Sequence, residues 1–155
     1  MPFNIVRQDI VKMKTDAIVN AANTELKMGG GVCGAIFKAA GEAQLKAACD
    51  FLKPIKTGEA VITPGFDLPA KFIIHAVGPI YSHWCKEQNV SYLRAAYLNS
   101  MKLAIENNCE SIAIPLISSG IYGYPKNEAL QVASSSIQDF LLEHDLDVIL
   151  SMFSR

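Results

Sequence analysis

The chain has 155 residues, half of them hydrophobic, and a formal net charge of −1. That length and apolar fraction suit one globular domain with a sizeable core and exclude a disordered chain. Balanced charge without a basic run gives no footprint for nucleic acid or an anionic membrane, so neither is an expected partner, and any bound anion must be held locally.

In chain order, short apolar runs rich in β-branched residues predict strands at Phe3–Val6, 17–20, 59–63, 72–77, 111–117 and 147–152. Most read as continuously apolar, the pattern of strands buried on both faces. Between them the period becomes helical. Residues 31–51 form one such stretch, split by Gly41. Leu93, Ala96, Tyr97, Met101, Ala104 and Ile105 share a helical face, as do Ala129, Ala133, Ile137, Phe140 and Leu141, with Pro125 where a first turn tolerates it. Strands alternating with helices predict an α/β sandwich whose largely parallel sheet is covered on both faces. Ligands in such sheets bind beyond the carboxyl ends of the strands, which directs attention to the loops after Val19, Val77 and Ile117.

The first of those loops runs Val19-Asn20-Ala21-Ala22-Asn23 and then Met28-Gly29-Gly30-Gly31-Val32-Cys33-Gly34. Two asparagines supply donors and acceptors, three glycines free the backbone to turn N–H groups toward an anion, and the segment 32–40 follows as a helix with its positive dipole end. The loop after the fifth run, Ile117-Ser118-Ser119-Gly120-Ile121-Tyr122-Gly123-Tyr124-Pro125, offers a second cradle, with aromatic rings to lie against a sugar or base. Read alone it is equally a stiff turn whose serines cap the next helix. Two such loops facing one crevice suit a diphosphate. Asp9, after the first strand, is either an exposed turn aspartate or an acceptor for an exocyclic amine such as that of adenine. His75, inside an apolar run and without a spaced partner, reads as a hydrogen-bonded core histidine.

Cys33, Cys49, Cys85 and Cys109 lack paired spacing, so neither a zinc site nor a disulfide framework is implied, and no metal or cofactor is expected. Free thiols point to a reducing cytoplasm. The start of the chain lacks a charged segment followed by a long apolar stretch, and no window reaches transmembrane length without charges.

Taken together in this order and spacing, Val19-Asn20-Ala21-Ala22-Asn23, Gly29-Gly30-Gly31-Val32, Ile74-His75-Ala76-Val77-Gly78-Pro79 and Ser118-Ser119-Gly120-Ile121-Tyr122-Gly123-Tyr124-Pro125 resemble the macro domain family over nearly the whole chain. The likeness is to the branch of mono-ADP-ribosyl hydrolases and O-acetyl-ADP-ribose deacetylases. It implies a single domain over residues 1–155, built as a three-layer α/β/α sandwich with a mostly parallel, mixed sheet, binding ADP-ribose, ADP-ribosylated protein or O-acetyl-ADP-ribose. By that resemblance Asp9 recognises the adenine amino group and Ile10 helps seat the ring, while Phe153 falls where an aromatic lies against adenine. Asn23 holds the distal ribose, and Asn20 is a structural member of its motif. Gly29, Gly30, Gly31 and Val32 line the distal ribose and diphosphate from one side. Ser118, Ser119, Gly120, Ile121 and Tyr122 do so from the other. Asn23, Gly31 and Cys33 are thereby the candidate catalytic positions.

Two departures accompany the likeness. Cys33 stands where the hydrolases commonly carry an aspartate able to orient or deprotonate water; a thiol without a base or cation beside it does neither well. Members lacking the acid still hydrolyse by holding water between the ligand's own phosphate and the asparagine. The alternative is a reader that binds ADP-ribose without turnover. The chain also stops at Arg155, before the family's usual C-terminal helix, so either it is a piece of a longer protein or one sheet face is less covered.

Overall fold

Apolar side chains at successive positions of one strand can all be buried only if both faces of the sheet are covered. The computed structural model, which describes residues 2–152, builds such a sheet. Its strands are β1 (Phe3–Val6), β2 (Ala17–Ala21), β3 (Ala60–Pro64), β4 (Phe72–Ala76), β5 (Ser111–Pro115) and β6 (Asp147–Ser151). The helices are α1 (Gly31–Ala40), α2 (Glu42–Asp50), α3 (Lys86–Glu106) and α4 (Lys126–Leu141), with one short 3-10 turn at Ile10–Lys12. Phe153 lies outside the described residues.

The strand order is β1-β6-β5-β2-β4-β3. Every neighbouring pair is parallel except β3 with β4. The exception has a simple cause. Residues 65–71 are too few for a parallel crossover, which needs about a dozen, so the chain returns antiparallel and leaves β3 on the edge.

Alternation along the strands divides the core. Ala17 and Val19 of β2, Ile74 and Ala76 of β4, Ile112 and Ile114 of β5 and Val148 and Leu150 of β6 pack with Leu93, Tyr97 and Met101 of α3 and Ala129, Ala133 and Ile137 of α4. Ile18, Ile73 and Ala113, one residue out of phase, pack instead with Ile36 and Phe37 of α1 and Leu45 and Cys49 of α2. The result is the expected three layers. Gly41 separates α1 from α2 at φ +104°, a conformation that favours glycine. Ile105 and Leu141, expected on the buried faces, are only partly covered.

β1 is found at its predicted bounds, and the ends of the other strands differ by one or two residues, most at β5. Pro115 ends that strand because its successors leave the ladder: Ile117 N–H donates to the Tyr97 hydroxyl (2.9 Å), which itself donates to Pro115 O (3.3 Å). A buried tyrosine of α3 thus sets where β5 stops and the next loop begins.

Candidate functional site

The parallel strands β2, β5 and β6 end on one side of the sheet, and there the chain leaves a cleft of about 550 Å³. That volume is in the range of small-molecule sites. Asn23, Gly29, Gly30, Gly31, Val32 and Cys33 line one wall; Ser118, Ser119, Gly120, Ile121 and Tyr122 line the other. The two loops singled out in the sequence therefore do face each other. The floor and far end are made by Ala21, Ala22, Gly78, Pro115, Leu116, Ile117, Lys126, Ser151 and Met152.

On the first wall, Gly30 caps α1 without a side-chain bond, and Gly31 opens the helix at φ +55°. Among the described residues nothing accepts from the backbone N–H groups of Gly30, Gly31, Val32 and Cys33; the first intrahelical bond is Gly34 N–H to Gly30 O at 3.3 Å. These are the orphan donors of a helix N-terminus, aimed where an anion is favoured. A Cβ on Gly30 or Gly31 would meet open space, as expected of backbone exposed to a ligand.

The Asn23 side chain is half committed. Its Oδ1 accepts from Lys27 N–H (3.0 Å) and its Nδ2 donates to Lys27 O (2.9 Å), closing a small ring that shapes the approach to the glycines. One lone pair and one N–H are left over for a ligand. Cys33 is 7% exposed. Its Sγ accepts from Gly29 N–H (3.4 Å) and donates to Lys27 O (3.6 Å). Burial raises its pKa, opposed by the Gly29 N–H and the Asn20 side chain, so the thiol is protonated at neutral pH. It ties the loop together and is set up as neither base nor nucleophile.

The second wall works similarly. Ser118 sits at φ +69° and its Oγ donates to Pro79 O (2.8 Å), while Ser119 Oγ donates to Leu116 O (2.8 Å). Both hydroxyls turn inward to hold the loop. The N–H groups of Gly120, Ile121 and Tyr122 have no acceptor among the described residues. Gly78 permits this wall's approach to the β4 exit, because a methyl there would overlap Ser118 Oγ and Ile117 Cγ2. Tyr122, fixed by Tyr81 N–H donating to its carbonyl (2.8 Å), has a phenol pKa raised by burial and then by the charge a Cys33 thiolate would carry, which places it across from the first wall.

Beneath the first wall lies a buried polar chain. Asn20 and His75 are opposite one another on β2 and β4. Asn20 Nδ2 donates to His75 Nδ1 (3.0 Å), and His75 Nε2 meets Thr63 Oγ1 (3.0 Å). Thr63 gives its own hydrogen to Pro64 O (3.1 Å), so Nε2 is the nitrogen that carries the imidazole proton. Burial lowers the His75 pKa to about 4. The ring is thus the neutral core histidine expected of its sequence setting.

Three expected residues are not in the cleft lining. Asn20 is 1% exposed and supports the first wall from below. Asp9 caps the 3-10 turn, accepting from Val11 N–H (3.2 Å), and Ile10 is packed into the α1/α2 layer. Both stand just past the β6 end of the cleft: Ser151, a lining residue, donates its hydroxyl to Gln8 O. Sequence reasoning missed Ser151, Met152 and Lys126. The strand-end rule that found Ile117 applies equally after β6 and would have reached the first two; nothing in the sequence tells which way Lys126 faces.

A three-layer α/β/α domain whose two glycine-bearing walls present unpartnered backbone N–H groups belongs to the class of domains that bind phosphorylated small ligands at strand carboxyl ends. Comparison narrows the class: the Macro domain family model matches residues 19–133, and the chain belongs to that family. It is 45% identical over 142 residues to ADP-ribose glycohydrolase MACROD1 of Mus musculus, an alignment covering 92% of this chain and 44% of that protein. The chain thus spans less than half that relative's length. The Oceanobacillus iheyensis macrodomain solved with ADP superposes with a TM-score of 0.91 at 43% identity, covering 97% of this chain and 83% of that one. The Trypanosoma brucei macrodomain in complex with ADP-ribose does so at 0.89 and 36%, covering 98% and 64%.

Proposed function

We propose that the protein binds ADP-ribose in this cleft and hydrolyses ADP-ribosyl esters, either mono-ADP-ribosylated acidic side chains or O-acetyl-ADP-ribose. The carrying observation is the pair of opposed walls with unpartnered N–H groups, a cradle for a diphosphate between two sugars. Relatives named as ADP-ribose glycohydrolases and a related macrodomain solved with ADP-ribose support the reading. Asn23 and Tyr122 flank the end that takes the distal ribose, and Asp9 and Ile10 belong to the adenine end. The single domain needs no metal for this, and its free cysteines suit the cytoplasm.

Among the described residues the lining holds no carboxylate and no imidazole. A protein base is therefore not what activates water. The walls fix the ligand so that a water lies between its own phosphate and Asn23, near the anomeric or acyl carbon. The water adds across the ester, its hydroxyl to that carbon and its hydrogen to the departing oxygen, leaving ADP-ribose and a free acid. The same lack of a base favours a second reading, a reader that binds ADP-ribose without turnover.

A turnover assay on a glutamate-linked substrate and on O-acetyl-ADP-ribose separates the two. We expect release of ADP-ribose, with Asn23→Ala slowing it about 100-fold through lost positioning. Substrates left intact over hours at protein excess, with activity appearing only in Cys33→Asp, would establish the reader.

A further inference from the structure

We propose that Lys126 is the specificity-determining cation of the cleft, supplying the charge that selects a diphosphate-bridged ligand over an uncharged nucleoside. The inference rests on the ADP-ribose reading above. Among the described residues Lys126 is the only formally charged side chain in the lining, its neighbours there being neutral. It is exposed and, among the described residues, has no ion-pair partner. Other surface cations among the described residues are unpaired too; what sets Lys126 apart is its place in the cleft lining.

Its position strengthens the point. Lys126 is the first residue of α4, directly after the second wall, and α4 has no side-chain cap. The positive end of that helix, the ammonium and the unpartnered N–H groups of Gly120, Ile121 and Tyr122 therefore border the same space. With the α1 N-terminus across the cleft, two helix ends and the one formal charge in the lining, among the described residues, are all positive. A neutral ligand would satisfy the apolar floor and leave this polarity unmatched; a dianionic bridge would match it. The backbone donors set where the phosphates sit, and Lys126 adds attraction that reaches further and that salt weakens.

Calorimetric titration of the intact protein tests this with ADP-ribose and with adenosine, at low and at high salt. Because Lys126 is exposed, Lys126→Arg, Lys126→Gln and Lys126→Glu leave the core untouched. The expected order of ADP-ribose affinity is wild type and Lys126→Arg together, Lys126→Gln weaker by about three- to fivefold, and Lys126→Glu weaker still. The salt dependence should flatten in Lys126→Gln, and adenosine should be indifferent to all three. Unchanged ADP-ribose affinity in Lys126→Gln and Lys126→Glu overturns the assignment while leaving the ADP-ribose reading intact. An equal loss for adenosine overturns it too, by showing a packing role. Failure of the wild type to bind ADP-ribose removes both.

Discussion

His75 shows how one buried side chain links the fold to solution conditions. The unfolded chain takes up a proton on this imidazole below pH 6.5, whereas in the fold burial delays that to about pH 4. Stability is therefore full at neutral pH and is lost as pH falls through that window, by about 3 kcal/mol in all. Urea denaturation at pH 7 and near pH 4.5 should show the loss, and His75→Gln should remove most of the difference; an undiminished difference in that variant would place the titrating group elsewhere. Much at this scale was legible in advance: a histidine inside an apolar run has few fates other than a neutral, hydrogen-bonded one. The commitments of Asn23 to Lys27 and of both serine hydroxyls to carbonyls were not. Which of its possible partners a polar side chain takes depends on loop closure, which residue type does not reveal.

Among the elements, α3 governs more than its packing suggests. Tyr97 is fully buried, and its hydroxyl joins Pro115 O to Ile117 N–H just before the second wall. Tyr97→Phe would leave the Ile117 N–H buried without an acceptor, costing about 1–3 kcal/mol and loosening residues 118–122. Denaturation should report the first effect and faster amide exchange in that loop the second; an unchanged exchange rate there would mean that Ser118 and Ser119 hold the wall alone. Elements of this kind were readable because apolar runs and helical periods record burial directly. The direction of β3 was less so, since 59–63 looks the same run either way and only the short connection to β4 decides it. The overrun at β5 has the same origin: residues 116–117 are apolar because they floor a cleft, and the eye extends the strand through them.

At the scale of the whole molecule, the sheet gathers the carboxyl ends of β2, β5 and β6 beneath two walls that present unpartnered main-chain N–H groups. The resemblance in the sequence located both walls because glycines and asparagines at fixed spacing are what such walls require. It could not disclose how the far end is finished, where β6 pairing brings Ser151 beside β1 and Met152 N–H donates to Val6 O. A binding surface made of peptide N–H groups has no proton to surrender. Cys33 and Tyr122, both in the lining, have pKa values raised by burial and so stay protonated. ADP-ribose affinity should therefore stay within about twofold between pH 5.5 and 8, even as the fold beneath loses stability on the acid side. A steep change in affinity over that interval would require an ionisable contact from beyond the walls. The cleft would thus recognise a charged metabolite while remaining deaf to acidity, the peptide groups seating the phosphates and one lysine charge selecting them.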